Sequence, residues 1–230
     1  MSADAALDRK YYEAAAPRSL GERLTAAARD RIYADFLRLA RPGPDTTLLD
    51  IGVSDVVNDA ANVLERRYPH PHRITAAGLG TAEDFRTAHP AVAYRQIAAD
   101  CRLPFPDRSF GIATSNAVLE HVGSPDNQRL MLAEMLRVAD SVFLTVPHRY
   151  FPVEHHTAIP LLHWSDVAFR LACRRLGKAE WAEERNLILM TRARLAALVP
   201  PGRRARIGCT GLPLGPFSSN LYLHVEALAP

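Results

Sequence analysis

The sequence predicts an α/β fold built on a doubly wound, mostly parallel, seven-stranded sheet whose last strand runs antiparallel. Three features point there. Short β-rich apolar runs lack the polar alternation of a half-exposed sheet, helical stripes separate the early runs, and two closing runs follow one another with no helix between.

The elements come in order. From Gly21 to Ala40, residues Leu24, Ala28, Ile32, Phe36 and Leu39 recur at three-to-four spacing, which predicts an amphipathic helix that RPGPDT then stops. TTLLDIGV reads as a strand covered on both faces. Further strands are expected over 73–77, 93–98, 110–115 and 141–146. Between the last two, Ser124 can cap a helix with Pro125 at its first position and Leu132, Met135 and Leu136 as its buried stripe. Ser165 can cap another, with Phe169, Ala172, Cys173 and Leu176 inward and Gly177 at its end. Thr191 starts a short last helix that breaks at Pro200 and Pro201. Strands near 205–210 and 220–227 close the sheet, at least one of them antiparallel.

Composition agrees with a single domain over 1–230. The chain is 48% hydrophobic and 23% charged over 230 residues, and a domain of that size buries roughly 70–75% of its unfolded surface without needing staples. No apolar stretch approaches the ~20 residues of a membrane-spanning helix, and charges interrupt MSADAALDRKYYEAAAP where a signal peptide would be apolar. The expectation is a soluble, cytoplasmic protein without a membrane span. Cys101, Cys173 and Cys209 form no CxxC pair and read as free thiols. A net charge of +3, with short arginine clusters and no interleaved aromatics, argues against a nucleic-acid partner. Oligomeric state is not readable.

In such sheets ligands sit at the carboxyl ends of the strands near the switch point. There the sequence carries LLDIG on the first strand, AADCRLPFPDRSFGIATSNAVLEHV across the third and fourth, and VFLTVP on the fifth. From Thr46 to Pro147 the chain resembles the class I S-adenosylmethionine-dependent methyltransferases, of the type 11-like branch. The resemblance implies the Rossmann-like methyltransferase fold, S-adenosylmethionine as cofactor, and methyl transfer to a small-molecule O, N or S acceptor. It divides the domain into a helical cap (1–44), a cofactor-binding core (45–147), an acceptor-side lid (148–190) and a closing helix with strands (191–230).

Several residues are then candidates for cofactor contact. Asp50 and Gly52 lie at the end of the first strand, where a bare backbone admits the cofactor and an acid can hold its cationic end. Asp100 can accept from the adenine amino group while the Cys101 amide donates to the ring, with Leu103, Pro104 and Phe105 as walls. Asn116 is placed where donor meets acceptor. The chain departs from the family at two points. DIGVSDVVND has one glycine where a GxGxG turn is usual, so Val53, Ser54 and Asp55 are expected to build the turn, with the next helix starting at Ser54 or Asp59. The second strand ends in Gly78 and Leu79 rather than in a ribose-binding acid, leaving Glu83 or Asp84 as substitutes or as plain helix-start acids.

HRYFPVEHHTAIPLLHW, after the fifth strand, concentrates His148, Glu154, His155, His156 and His163 in one segment. With His121, the residues Glu154, His156 and His163 are candidate catalytic groups. A histidine could serve as general base with Glu154 orienting it, or the same rings could simply hydrogen-bond loop carbonyls. The spacing matches neither HExxH nor a facial triad, and Pro152 and Pro160 break any aligning helix, so no metal ligand is assigned. The rival reading from another class is a non-catalytic protein on the same fold with a degenerate cofactor site.

Overall fold

A computed structural model describes residues 20–56 and 61–228 of the chain. The expected helix start at Asp59 and the charged opening stretch lie outside the described residues. Seven strands form one sheet: β1 (Leu48–Ile51), β2 (Ile74–Gly78), β3 (Ala93–Gln96), β4 (Phe110–Asn116), β5 (Ala139–Pro147), β6 (Ala205–Thr210) and β7 (Asn220–Val225), in the order β3-β2-β1-β4-β5-β7-β6. β7 pairs antiparallel with both β5 and β6, and the other pairs are parallel. Strand order reverses between β1 and β4, so the carboxyl edge there forms the crevice in which this topology places ligands.

Helices α1 (Leu20–Ala40), α2 (Val63–Arg67), α3 (Glu83–Ala88), α4 (Pro125–Val138), α5 (Asp166–Arg175) and α6 (Arg192–Leu198) complete the described fold. None is long and apolar enough to cross a membrane. Their starts follow the capping residues read from the sequence. Ser124 accepts from the Asn127 amide, Ser165 from Ala168, and Thr191 from Arg194, each satisfying an amide that has no partner within its helix.

Two apolar layers cover the sheet, and the period of two along each strand decides which residue joins which layer. Leu48, Ile112 and Phe143 pack with Ile32 and Phe36 of α1. Leu49, Ile51, Ala113, Val142 and Leu144 pack with Met131, Leu132 and Met135 of α4. A third cluster, Ile159, Phe169, Ala172, Cys173, Trp181 and Leu187, gives the 148–190 segment its own small core.

Three expectations need correction. Leu24 is 44% exposed rather than part of the packed stripe of α1. Leu176 is 60% exposed rather than inward, because α5 ends at Arg175 and Gly177, at φ 70°, turns the chain so that the Lys178 amide reaches the Cys173 carbonyl. No helix starts at Ser54. That stretch is an irregular turn, and the described helix begins at Val63 after Asn62 in the left-handed region.

Candidate active site

A cleft of about 300 Å³ lies at the carboxyl ends of β1, β2 and β4 and in the loop after β3. Gly52 and Gly78 are part of its lining. Gly52 sits at φ +91°, and a Cβ there would fall 2.2 Å from Val118 Cγ2. A Cβ on Gly78 would meet the Tyr94 hydroxyl at 2.8 Å. Only glycine fits at position 52, where the Val118 side chain and the positive φ both exclude a Cβ, whereas at position 78 the Tyr94 hydroxyl would have to shift to admit one. Leu79, Ile97, Leu103, Val118 and Met131 supply apolar lining, with Arg102 and Arg185 at the rim.

The single-glycine turn is assembled by side chains. Asn62 bridges it, accepting from the Ser54 amide at 3.2 Å and donating to the Ser54 carbonyl at 2.8 Å. Ser54 Oγ accepts from the Val56 amide at 3.0 Å, and Asp55 accepts from the Phe85 amide at 2.8 Å, tying the turn to α3. Across the cleft, the LPFPD stretch is fastened to α4: Arg137 donates to the carbonyls of Leu103 and Phe105 and to Asp107 and Glu134, while Glu134 accepts from the Leu103 amide.

The expected cofactor residues divide between two faces. Gly52, Val53, Asp55, Gly78, Leu79 and Cys101 line the cleft. Asp50, Ser54 and Asn116 line a smaller cavity of about 90 Å³ on the α1 face, which meets the cleft at residues 51–53. Strand alternation is the cause, since Asp50, Thr114, Asn116 and Thr145 share the α1 side with Leu48. Thr114 donates to Asp50, and Thr145 to Asn116. Burial raises the Asp50 carboxyl above its ordinary range, and its neighbour Glu65 rises further through burial and the Asp50 charge. Asp100, expected to meet the adenine, is exposed and does not line the cleft, and it accepts from the Arg102 amide at 3.0 Å. Glu83 and Asp84 are exposed in the first turn of α3 and do not line the cleft.

Of the candidate catalytic groups, His121 lines the cleft. It follows Glu120 in a 3-10 turn, Leu119–His121, that leaves β4. His121 Nδ1 lies 2.8 Å from the Asn186 carbonyl, and its Nε2 lies 3.0 Å from His156 Nε2. His156 in turn places Nδ1 2.9 Å from Glu154 and stacks on Trp181 at 5.0 Å between ring centroids. Glu154 also accepts from the amides of His156 and Thr157 and from the Thr157 hydroxyl. Burial alone would raise that carboxyl, but the bonds from His156 and Thr157 hold it at about 2. Burial, with His156 alongside, pushes His121 down to about 4, and burial pushes Glu120 up to about 7. His163 is set apart, 2.8 Å from the Phe151 carbonyl, and fixes the loop.

Sequence reasoning did not single out Tyr94, Arg102, Val118 or Arg185 as cleft residues, nor Asn62, Glu65 and Glu120 as parts of the site. Glu120 had a local signal, its place beside His121. The others depend on long-range packing.

Residues 56–141 match the family model described as a methyltransferase domain. No curated protein matches the sequence. Among solved structures the chain is similar to a SAM-dependent methyltransferase from Aquifex aeolicus, at 10% identity and TM-score 0.52 over 99% of this chain and 100% of that one. It is also similar to the N-methyltransferase NodS from Bradyrhizobium japonicum WM9 in complex with S-adenosyl-L-homocysteine, at 11% identity and TM-score 0.59 over 97% of each chain. A third is magnesium protoporphyrin IX methyltransferase from Synechocystis PCC 6803 with bound SAH, at 12% identity and TM-score 0.56 over 96% of this chain and 93% of that one. Residues 56–141 therefore resemble a methyltransferase domain, and the fold is the one seen in these SAM-dependent methyltransferases.

Proposed function

We propose that the chain transfers the methyl group of S-adenosylmethionine to a small-molecule acceptor, with the donor held in the cleft at the carboxyl ends of the strands. One observation carries the reading: the crevice lined by Gly52, Gly78 and the loops after β3 and β4 is an open space of about 300 Å³. A degenerate site would be filled by its own side chains. Gly52, Val53, Gly78, Leu79, Cys101 and Leu103 are the residues that would hold the nucleoside and its methionine arm.

Bound adenosylmethionine supplies an electrophilic methyl on a sulfonium, whose C–S electron pair stays with sulfur as an acceptor lone pair forms the new bond. The chain's own part is to orient the two partners and exclude water, which carries most of the rate in an in-line displacement. His121 serves as a wall of the cleft rather than as a base, because both its ring nitrogens are engaged. Glu154, His156 and His163 hold the 148–164 segment that supports it. The cavity beneath α1, with Tyr33, Asn116 and Thr145 on its walls, supports a small acceptor.

Calorimetry with S-adenosylhomocysteine tests the proposal. Micromolar binding at one site per chain is the expected result. No heat up to millimolar ligand would leave a scaffold on the methyltransferase fold.

A further inference from the structure

Beside the donor cleft lies a cluster that methyl transfer does not use. Glu120, His121 and His156 each offer one ligand atom, and these atoms all lie within 4.8 Å of one another. His121 Nε2 is 3.0 Å from His156 Nε2 and 3.9 Å from Glu120 Oε1. All three side chains are nearly sealed from solvent, with relative exposures of 8%, 10% and 1% for His121, His156 and Glu120.

The hydrogen bonds around the cluster decide what it lacks. His121 Nδ1 faces the Asn186 carbonyl and His156 Nδ1 faces the Glu154 carboxylate, so both Nδ1 atoms must donate. In the neutral rings both Nε2 atoms then turn lone pairs toward each other. Neither oxygen of the buried Glu120 carboxyl has a hydrogen-bond partner. A proton shared between the rings would answer the first conflict and leave Glu120 as it is. A divalent cation answers both.

We propose that Glu120, His121 and His156 bind a divalent first-row transition ion, zinc being the probe of choice. Two imidazoles and a carboxylate are a donor set that zinc accepts. Its bonds of about 2.0–2.2 Å put neighbouring ligand atoms roughly 3.4 Å apart, between the two separations seen here. The supporting shell is in place as well: the Glu154 carboxylate and the Asn186 carbonyl orient the two rings, the arrangement that fixes metal-binding histidines elsewhere. Trp181 covers the His156 ring. The ion would join the 119–121 turn to the 154–156 loop, directly behind the cleft wall that His121 forms, and would displace any proton the rings share.

The sequence concealed this site because its ligands come from two segments, with His121 and His156 separated by 35 positions, and neither segment alone carries a ligand spacing.

The test uses untagged full-length protein, stripped with chelator and titrated with zinc and, separately, cobalt. One equivalent of zinc per chain is expected, with cobalt giving visible d–d absorption. Glu120→Gln, which keeps the side chain's shape, should weaken zinc binding by at least roughly tenfold, and Glu154→Gln by roughly 10–100-fold through the orientation of His156. His72→Asn, a surface change, should leave it unaltered. In case a variant does not fold, cobalt-loaded wild type should show paramagnetically shifted imidazole resonances from two histidines. Absence of stoichiometric binding, equal affinity in Glu120→Gln, or a cobalt spectrum without those two imidazoles would overturn the site. None of these readouts involves adenosylmethionine, so the metal and the methyl donor succeed or fail separately.

Discussion

Gly52 and Val118 are packed so tightly that the hydrogen on the Gly52 Cα stands where any side chain would collide with the valine methyl, at 2.2 Å for a Cβ. Because Gly52 is also at φ +91°, Gly52→Ala meets two obstacles, and the backbone strain alone is worth about 1–3 kcal/mol. Adding Val118→Ala should recover the steric part and not the strain. Thermal unfolding of the single and double variants reads the two contributions, and full recovery in the double variant would show that the positive φ costs nothing.

Arg137 and Glu134 hold the far wall of the cleft. Arg137→Ala should lose about 1–2 kcal/mol, allowing for its partial exposure, and should weaken S-adenosylhomocysteine binding several-fold as Leu103 loosens. Denaturant melts and calorimetry measure the two effects. The Glu134 carboxyl is held below its ordinary range, chiefly by the bond from Arg137. A depressed folded value means its stabilisation is present above the unfolded pKa of about 4.3 and is lost as pH falls through the folded value. Glu134→Gln should remove that acid-side loss, and an unchanged acid limb would contradict the link.

Glu65 has the opposite sign. Its carboxyl is raised well above the ordinary range by burial and by the Asp50 charge beside it, and neither of its oxygens has a hydrogen-bond partner. The folded protein therefore holds a proton the unfolded chain gives up, and stability should fall as pH climbs from about 4.3 toward the raised folded value. Glu65→Gln removes that titrating group. Melting temperature against pH should be flatter on that limb in the variant; parallel curves would show that Glu65 is charged in the fold.

Ser124 caps α4 through the Asn127 amide at 3.1 Å. Ser124→Ala should cost about 1 kcal/mol in a urea melt without altering ligand affinity, since Ser124 does not line the cleft. A loss of affinity at unchanged stability would tie the cap to the site instead.

Much of the fold was legible because its signals are local. Caps at Ser124, Ser165 and Thr191, buried strands, and the helix-free pair at the end all declare themselves within a few residues. The site was legible in part for the same reason. Gly52 and Cys101 stand at positions that the family resemblance marks, and Gly78 ends β2 in the slot where the family carries an acid. Asp50 and Asn116 were expected in the donor cleft, but the pleat turns their side chains to the α1 face, and a strand end read as a point gives no sense of side. Asn62 and Arg137 shape the cleft through contacts that only the folded chain creates, and the facing of His121 to His156 is of that kind.

The most direct measurement is a crystal structure of the protein grown with S-adenosylhomocysteine. The expected result is one nucleoside in the cleft, its ring between Leu79 and the Cys101–Leu103 wall and its amino-acid arm over Gly52. A cleft that stays free of ligand under saturating conditions, or a nucleoside bound elsewhere on the molecule, would contradict the central claim.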